Sequence, residues 1–199
     1  MTLVVRQATA KDVNIAVPLL LEAGEHLLVS IFGNGEHDDA FGFLHAAWLR
    51  GNGQYGFENH WLACHNDEVV GIISCWHDHL PDNFDRDTLL AITDYYGLDM
   101  ALDVVMRSQR YSASLNSPMA LELCIGHIAV VASARRKGVG TAMIRFMEHY
   151  ARTLGKFALV LDVEQSNRQA LGFYHALGFR EQQTTPPFIQ LAKGIPPLM

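Results

Sequence analysis

The chain has 199 residues, 49% of them apolar and 18% charged, which is core material for one domain over 1–199 and excludes a disordered chain. Fifteen lysines and arginines against 21 aspartates and glutamates leave a net charge of −6, which argues against a nucleic-acid binder and suits a cationic partner. No apolar run approaches the ~18 residues of a membrane helix, the N-terminus lacks a signal-peptide pattern, and the odd set Cys64, Cys75 and Cys124 lies in apolar stretches; the expectation is a reduced, soluble, cytoplasmic protein without disulfides.

Thr2 to Ala8 reads as a first strand. Thr9 with Asp12 three residues on resembles a capping box, so a helix begins there, kinked or split at Pro18. Asp38 or Asp39 can cap the next helix, whose Phe41, Leu44 and Trp48 share a face, and Gly51 and Gly53 end it. His60 to Cys64 and Val69 to Trp76 form a hairpin about Asn66-Asp67. Residues 78–118 hold seven aspartates against three arginines, a net −4, with helical patches at 88–96 and 99–107; they read as an acidic insertion between strands. Ala120 to Val131 is the longest apolar run and reads as a central strand. A helix follows over about Val139 to Leu154, with Met143, Met147, Tyr150, Ala151 and Leu154 on its buried face. Then come a strand at Phe157–Val163, a helix at Asn167–Leu177, and strands from Phe179 and over Phe188–Ala192. Strands and helices interleaved throughout predict an α/β or α+β domain.

Arg135-Arg136-Lys137-Gly138-Val139-Gly140-Thr141 stands between that central strand and the amphipathic helix. Two glycines permit a tight turn and close approach of a ligand, and the first helical amides point into the turn unsatisfied. The helix dipole adds positive character. Cations alone at a helix N-terminus oppose that dipole, and a bound diphosphate removes the conflict. A Walker A loop would need Gly-Lys-Ser/Thr, and a dinucleotide fingerprint would need glycine where Met143 stands.

The run Ile128 to Gly140 resembles motif A of the GCN5-related N-acetyltransferases (GNAT superfamily): an apolar strand, then Arg/Gln-x-x-Gly-x-Gly/Ala. Asn167-x-x-Ala170 followed by Phe173-Tyr174-His175-Ala176-Leu177-Gly178-Phe179 resembles motif B. The clear matches cover about Ala120 to Phe179, and the first half agrees in layout only.

The resemblance implies a mixed, mostly antiparallel central sheet with helices on both faces. It implies acetyl-CoA as cosubstrate, its pyrophosphate on the amides of Arg136 to Thr141, with Arg135, Lys137, Gly138, Val139 and Gly140 completing the loop. The pantetheine arm would pair with the backbone of Ile128, Ala129 and Val130, between strands that splay near Val130 and Val163. An N–H near Val130 would hold the oxyanion. Tyr174 would be the general acid toward the departing thiolate, against a plain packing role beside Phe173 and Phe179. Asn167 would bond the pantetheine region, cap its helix, or both.

Many family members carry a carboxylate on the strand before motif A; here Cys124 and Gly126 occupy that place. Glu122, acting through water, and His127 are the candidate bases, against a solvated strand end and a hydrogen-bonded core histidine. His77-Asp78-His79 reads as a loop-edge cluster rather than a metal site, and Cys124 as an inert thiol, so no metal is expected. The function implied is acetyl transfer to a primary amine of a small molecule or peptide. The alternatives are a catalytically silent acyl-CoA-binding or regulatory module and a transferase of longer acyl chains. No nucleic-acid or membrane partner is expected, and a homodimer stays open. Asp78, Asp82 and Asp85 are expected to guide a cationic acceptor, against a solvated surface.

Overall fold

The Thr9–Asp12 capping box forms as expected, with the Asp12 carboxylate accepting from the Thr9 amide and hydroxyl at 2.8 Å. The same carboxylate takes a two-pronged pair from Arg6 at 2.7 and 2.9 Å, tying the first strand to the first helix. These contacts belong to a computed structural model that describes residues 2–196. Met1 and residues 197–199 of the expected single domain lie outside the described residues.

The strands are β1 Val4–Gln7, β2 His60–His65, β3 Glu68–Trp76, β4 Glu122–Val130, β5 Ala158–Glu164, β6 Arg180–Thr185 and β7 Phe188–Gly194. The helices are α1 Val13–Ala23, α2 Glu25–Phe32, α3 His37–Arg50, α4 Phe84–Ser112, α5 Val139–Thr153 and α6 Arg168–Ala176. The sheet runs β1-β2-β3-β4-β5-β7-β6, antiparallel throughout except for the parallel pair β4–β5. Alternation divides the core. Leu62, Ile72 and Ala129 face α1–α4, while Leu123, Ile125, Leu159 and Leu161 face α5 and α6. The expected fold class is the one observed. Among the described residues no single helix is long and apolar enough to cross a membrane.

Three local expectations change. Pro18 lies inside α1 and does not break it: the one hydrogen bond it removes is outweighed by buried Ala16, Val17, Leu19, Leu20 and Leu21. The chain turns at Gly24 instead, where the α1 and α2 directions differ by 100°. Glu36, not Asp38 or Asp39, occupies the N-cap of α3, and the two aspartates lie in its first turn, where the dipole favours them. The two helical patches of the insertion join in α4, interrupted at Gly97 (φ 74°, ψ 163°). Elsewhere the local signals hold. Asn66 and Asp67 both adopt positive φ, as a type I′ hairpin turn requires.

The insertion is bound to the body by charge and hydrogen bonds. Tyr96 donates to the Phe32 carbonyl at 2.6 Å and Arg107 to the Ile31 carbonyl at 2.7 Å. Arg50 pairs with Asp94 at 2.6 Å. α4 is thereby held against α2 and α3, and its residues Ser108, Tyr111 and Ser112 line one groove with the carboxyl end of β5.

Candidate active site

Parallel pairing of β4 with β5 consists of three rungs, Glu122–Ala158, Leu123–Leu159 and Cys124–Val160, and then stops. Beyond them the strands part. β4 remains paired to β3 on its other edge, but with a bulge: Ile72 pairs with Ala129 and Ser74 with Gly126. His127 sits in that bulge at φ 48°. The opening therefore begins at Ile125 and Leu161, deeper than the expected positions near Val130 and Val163. Its wall on β4 is Cys124 to Ile128, and on β5 Leu161 to Glu164. Ala129 and Val130 lie outside the lining and stay paired with Ile72 and Gly71 of β3.

The opening continues into a groove of about 920 Å³ reaching from α6 to the insertion. Tyr174 and Asn167 line it from α6, and Asp78, Asp82 and Asp85 from the insertion. Among the described residues no lysine or arginine lines it, whereas Glu22, Glu25, Asp162 and Glu164 add to the three insertion aspartates.

At the head of α5 the loop has the expected form. Gly138 is the N-cap at φ 85°, and with no side chain it leaves the amides of Val139, Gly140 and Thr141 uncapped. Arg136 also takes positive φ, at 62°, which curls the loop amides inward. Arg135 turns away: its Nε donates to the Val130 carbonyl at 2.9 Å and its other arm pairs with Glu22. Arg136 and Lys137, both exposed, are the loop's unpaired cations among the described residues. The second glycine has an added reason. A Cβ on Gly140 would stand 2.9 Å from the Phe173 ring, so any larger residue here forces that ring to shift.

Tyr174 is 8% exposed, with its ring edge-on to Phe173 and Phe179 at 5.1 and 5.5 Å. Burial raises its phenol above the usual range. Its hydroxyl makes no hydrogen bond within the described residues. Asn167 caps α6 by accepting from the Ala170 amide at 3.0 Å, which leaves its NH2 group toward the groove.

The two expected bases stand in very different settings. Glu122 is buried and accepts from the Met119 amide at 2.9 Å, tied back at the closed end of the strand pair. His127 lines the groove. The Ser74 hydroxyl donates to the Gly126 carbonyl at 3.1 Å and accepts from His127 Nδ1–H at 3.0 Å. Tyr55, His60 and Trp76 enclose its ring. Burial, then nearby His60, lower it to about 3, so the imidazole is neutral and weakly basic.

Asp162 escaped the sequence reading. It lies two residues past Val160 on β5, lines the groove, and has a buried Oδ1 without a hydrogen-bond partner. Burial raises it to about 6, and the Asn116 backbone N–H partly opposes that rise. Its signal in the sequence was a lone carboxylate inside an apolar strand, Ala-Leu-Val-Leu-Asp-Val.

Cys124 is buried and its thiol is raised by burial, then by Asp162. The ligand atoms of His77, Asp78 and His79 lie within 4.8 Å of one another. Asp78 already pairs with the buried Lys156, which also donates to the Ala120 carbonyl at 2.6 Å. His77 Nδ1 accepts from the His79 amide at 3.1 Å. The cluster thus supplies its own cation.

The model of the acetyltransferase (GNAT) family matches residues 22–179 of this chain. The chain belongs to the GNAT family. An aminoglycoside N(6′)-acetyltransferase type 1 of Klebsiella aerogenes is 37% identical over 70 residues, 32% of this chain and 46% of that protein. The chain spans about a third to a half of the length of the curated relatives it matches. Among solved structures, an N-acetyltransferase from Staphylococcus aureus Mu50 has a TM-score of 0.68 at 14% identity, covering 96% of this chain and 100% of that one. The PaiA N-acetyltransferase from Thermoplasma acidophilum, solved in complex with coenzyme A, has a TM-score of 0.54 at 12% identity, covering 98% and 99%. These neighbours share the fold. In this GNAT chain the β4 wall of the opening brings no free carboxylate, and β5 brings Asp162.

Proposed function

We propose that this protein is an acetyl-CoA-dependent N-acetyltransferase acting on a cationic primary amine. The observation that carries the reading is arrangement: β4, whose unpaired edge walls an acidic groove, leads through the loop at 131–138 into an uncapped, glycine-headed helix N-terminus. The helix N-terminus and the strand edge fit the donor, whose diphosphate suits free amides and whose amide-rich arm suits a free strand edge. The groove fits the acceptor. Five of its seven carboxylates have no lysine or arginine partner among the described residues and attract an ammonium, and Trp76, Tyr111 and Phe188 line the groove for its alkyl part.

In this reading Arg136 and Lys137 neutralise phosphate charge, and the amides of Val139 to Thr141 hold it. The free edge from Ile125 to Ala129 aligns the arm, with Asn167 beside it. The bound donor supplies an acetyl thioester at the opening. Tyr174 presents a phenol with no other partner, placed to stabilise the departing thiolate by a hydrogen bond; burial weakens its acidity and keeps it protonated, so it acts as a hydrogen-bond donor.

A silent CoA-binding module draws support from one feature, the absence of a free carboxylate on the β4 wall. Thiol release separates the two readings. The panel is diamines, polyamines, aminoglycosides, amino acids and peptide N-termini, with CoA affinity measured in parallel. Turnover with cationic amines supports the transferase. CoA binding without turnover of any panel member overturns it.

A further inference from the structure

Asp162 lies two residues past Val160, which pairs with Cys124 in the last rung of the β4–β5 ladder. Period-two alternation puts its side chain on the same face as Val160 and Cys124, opposite the buried Leu159, Leu161 and Val163. It therefore enters the opening from the side covered by the insertion. Its Oδ1 is enclosed yet unpartnered. Its neighbour across the β5–β7 ladder, Gln190, brings no charge. An enclosed carboxylate oxygen without a donor is costly to the fold, and such groups concentrate where a reaction uses them.

We infer that Asp162 is the general base of this chain, taking the proton of the acceptor ammonium at the β4–β5 opening. The inference rests on the amine-acetyltransferase reading above. Geometry selects it over the other two acids and bases nearby: Glu122 lies outside the groove lining, tied to the Met119 amide, and the His127 ring is enclosed by Tyr55, His60 and Trp76. Its acidity supports the choice. A carboxylate near 6 is ionised at neutral pH and still a usable base, whereas His127 near 3 is not. The titratable groups around it are few. Cys124 of β4 stays a neutral thiol, and Glu122 lies farther back on the same strand. Glu164, on β5 itself, is paired with His26 of α2 at 3.1 Å. Tyr174 of α6 and Tyr111 of α4 line the same groove, and Asn116 contributes only its backbone amide.

The step balances as follows. The ammonium gives one proton to Asp162, and the free amine attacks the thioester carbonyl. The C–N bond forms and the C–S bond breaks. The second nitrogen proton reaches the leaving thiolate through Tyr174 or solvent. Asp162 returns its proton to solvent, so acetyl donor plus ammonium yields amide, thiol and one proton.

The test uses the full chain and the fastest amine of the panel. Asp162→Asn is expected to lower kcat/KM by about a hundredfold or more. It should also abolish the acidic limb near pH 6, with CoA affinity unchanged. His127→Gln, by contrast, should keep that limb. A carboxyl titrating near 6 in aspartate-labelled carbon-13 spectra should vanish in Asp162→Asn, a readout independent of turnover. Wild-type kcat/KM in Asp162→Asn, with the limb intact, overturns the base while leaving the transferase standing. Failure of every amine with wild-type protein overturns the transferase reading, and the base with it. Should Asp162→Asn not fold, the wild-type chain decides: a rate profile and a labelled spectrum without a group near 6 overturn the inference.

Discussion

Gly140 and Phe173 share a space that only a hydrogen atom fits: a Cβ on Gly140 would lie 2.9 Å from the ring's Cζ. The glycines of the loop therefore do different work. Gly138 has open space where its Cβ would be, but a φ of 85°; Gly140 sits within α5 and is fixed by packing. Gly140→Ala is expected to cost about 1–3 kcal/mol of stability by overpacking. Adding Phe173→Leu should recover most of it, as urea unfolding would show. Gly138→Val should instead weaken CoA binding by well over tenfold, or ~1.4 kcal/mol, in calorimetry. Equal CoA affinity in Gly138→Val removes the loop from the donor site.

Tyr174 presents a ring that packs and a hydroxyl that does not. Tyr174→Phe keeps the first and deletes the second. The expected outcome is a kcat lower by about tenfold or more, with the melting temperature and acetyl-CoA affinity nearly unchanged. Steady-state kinetics with a thermal melt reads both. An unchanged kcat would return Tyr174 to a packing role.

The insertion's carboxylates divide between structure and attraction. Asp78 is the counter-ion of Lys156, whose side chain is 2% exposed, so Asp78→Asn leaves a buried cation unpaired and should lower the melting temperature. Asp82 and Asp85 line the groove without an ion pair among the described residues. Asp82→Asn with Asp85→Asn should leave stability intact, raise KM for a cationic acceptor and flatten its salt dependence. The KM for acetyl-CoA should not move. An unchanged acceptor KM makes these charges a solvated surface.

Stability should fall in acid for a specific reason. His60 is fully buried, its Nδ1–H donating to the Gly56 carbonyl at 2.8 Å and its Nε2 unpartnered. Burial lowers it to about 4 and His127 to about 3. The unfolded chain binds these protons near 6.5, so the folded state loses stability as pH drops below 6.5. Asp162 acts in the opposite sense. Its folded carboxyl binds a proton near 6 and its unfolded one near 3.8, so it gains stability over that window. Urea unfolding from pH 7.5 to 4 should therefore show a net loss, shallower in His60→Gln and steeper in Asp162→Asn. A flat profile would mean that the two histidines are hydrated in solution.

Much of the site was legible before any fold was known. The loop at 135–141 carried its meaning in neighbouring residues: two glycines, three cations and the start of an amphipathic helix. Tyr174 and Asn167 were found by their motif, and the hairpin by Asn66-Asp67. Each is a local matter, set by backbone conformations and periodicities spanning a few residues. The depth of the opening was not local. It depends on the rung at which β4 and β5 stop pairing, after Cys124 and Val160.

The sequence by itself determined the fold class, the glycine loop at the head of α5 and the polarity of the insertion, since glycine conformations, alternation and composition act over short stretches. Only the tertiary structure decided which carboxylates remain free. Asp78 was spent on Lys156, 78 residues away, Glu22 on Arg135, 113 residues away, and Glu122 on a nearby amide. Asp162 kept an unpartnered oxygen because β4 diverges and the insertion closes over it. Burial and charge pairing come from groups far apart in the chain, and those two quantities separate a reactive carboxylate from a structural one.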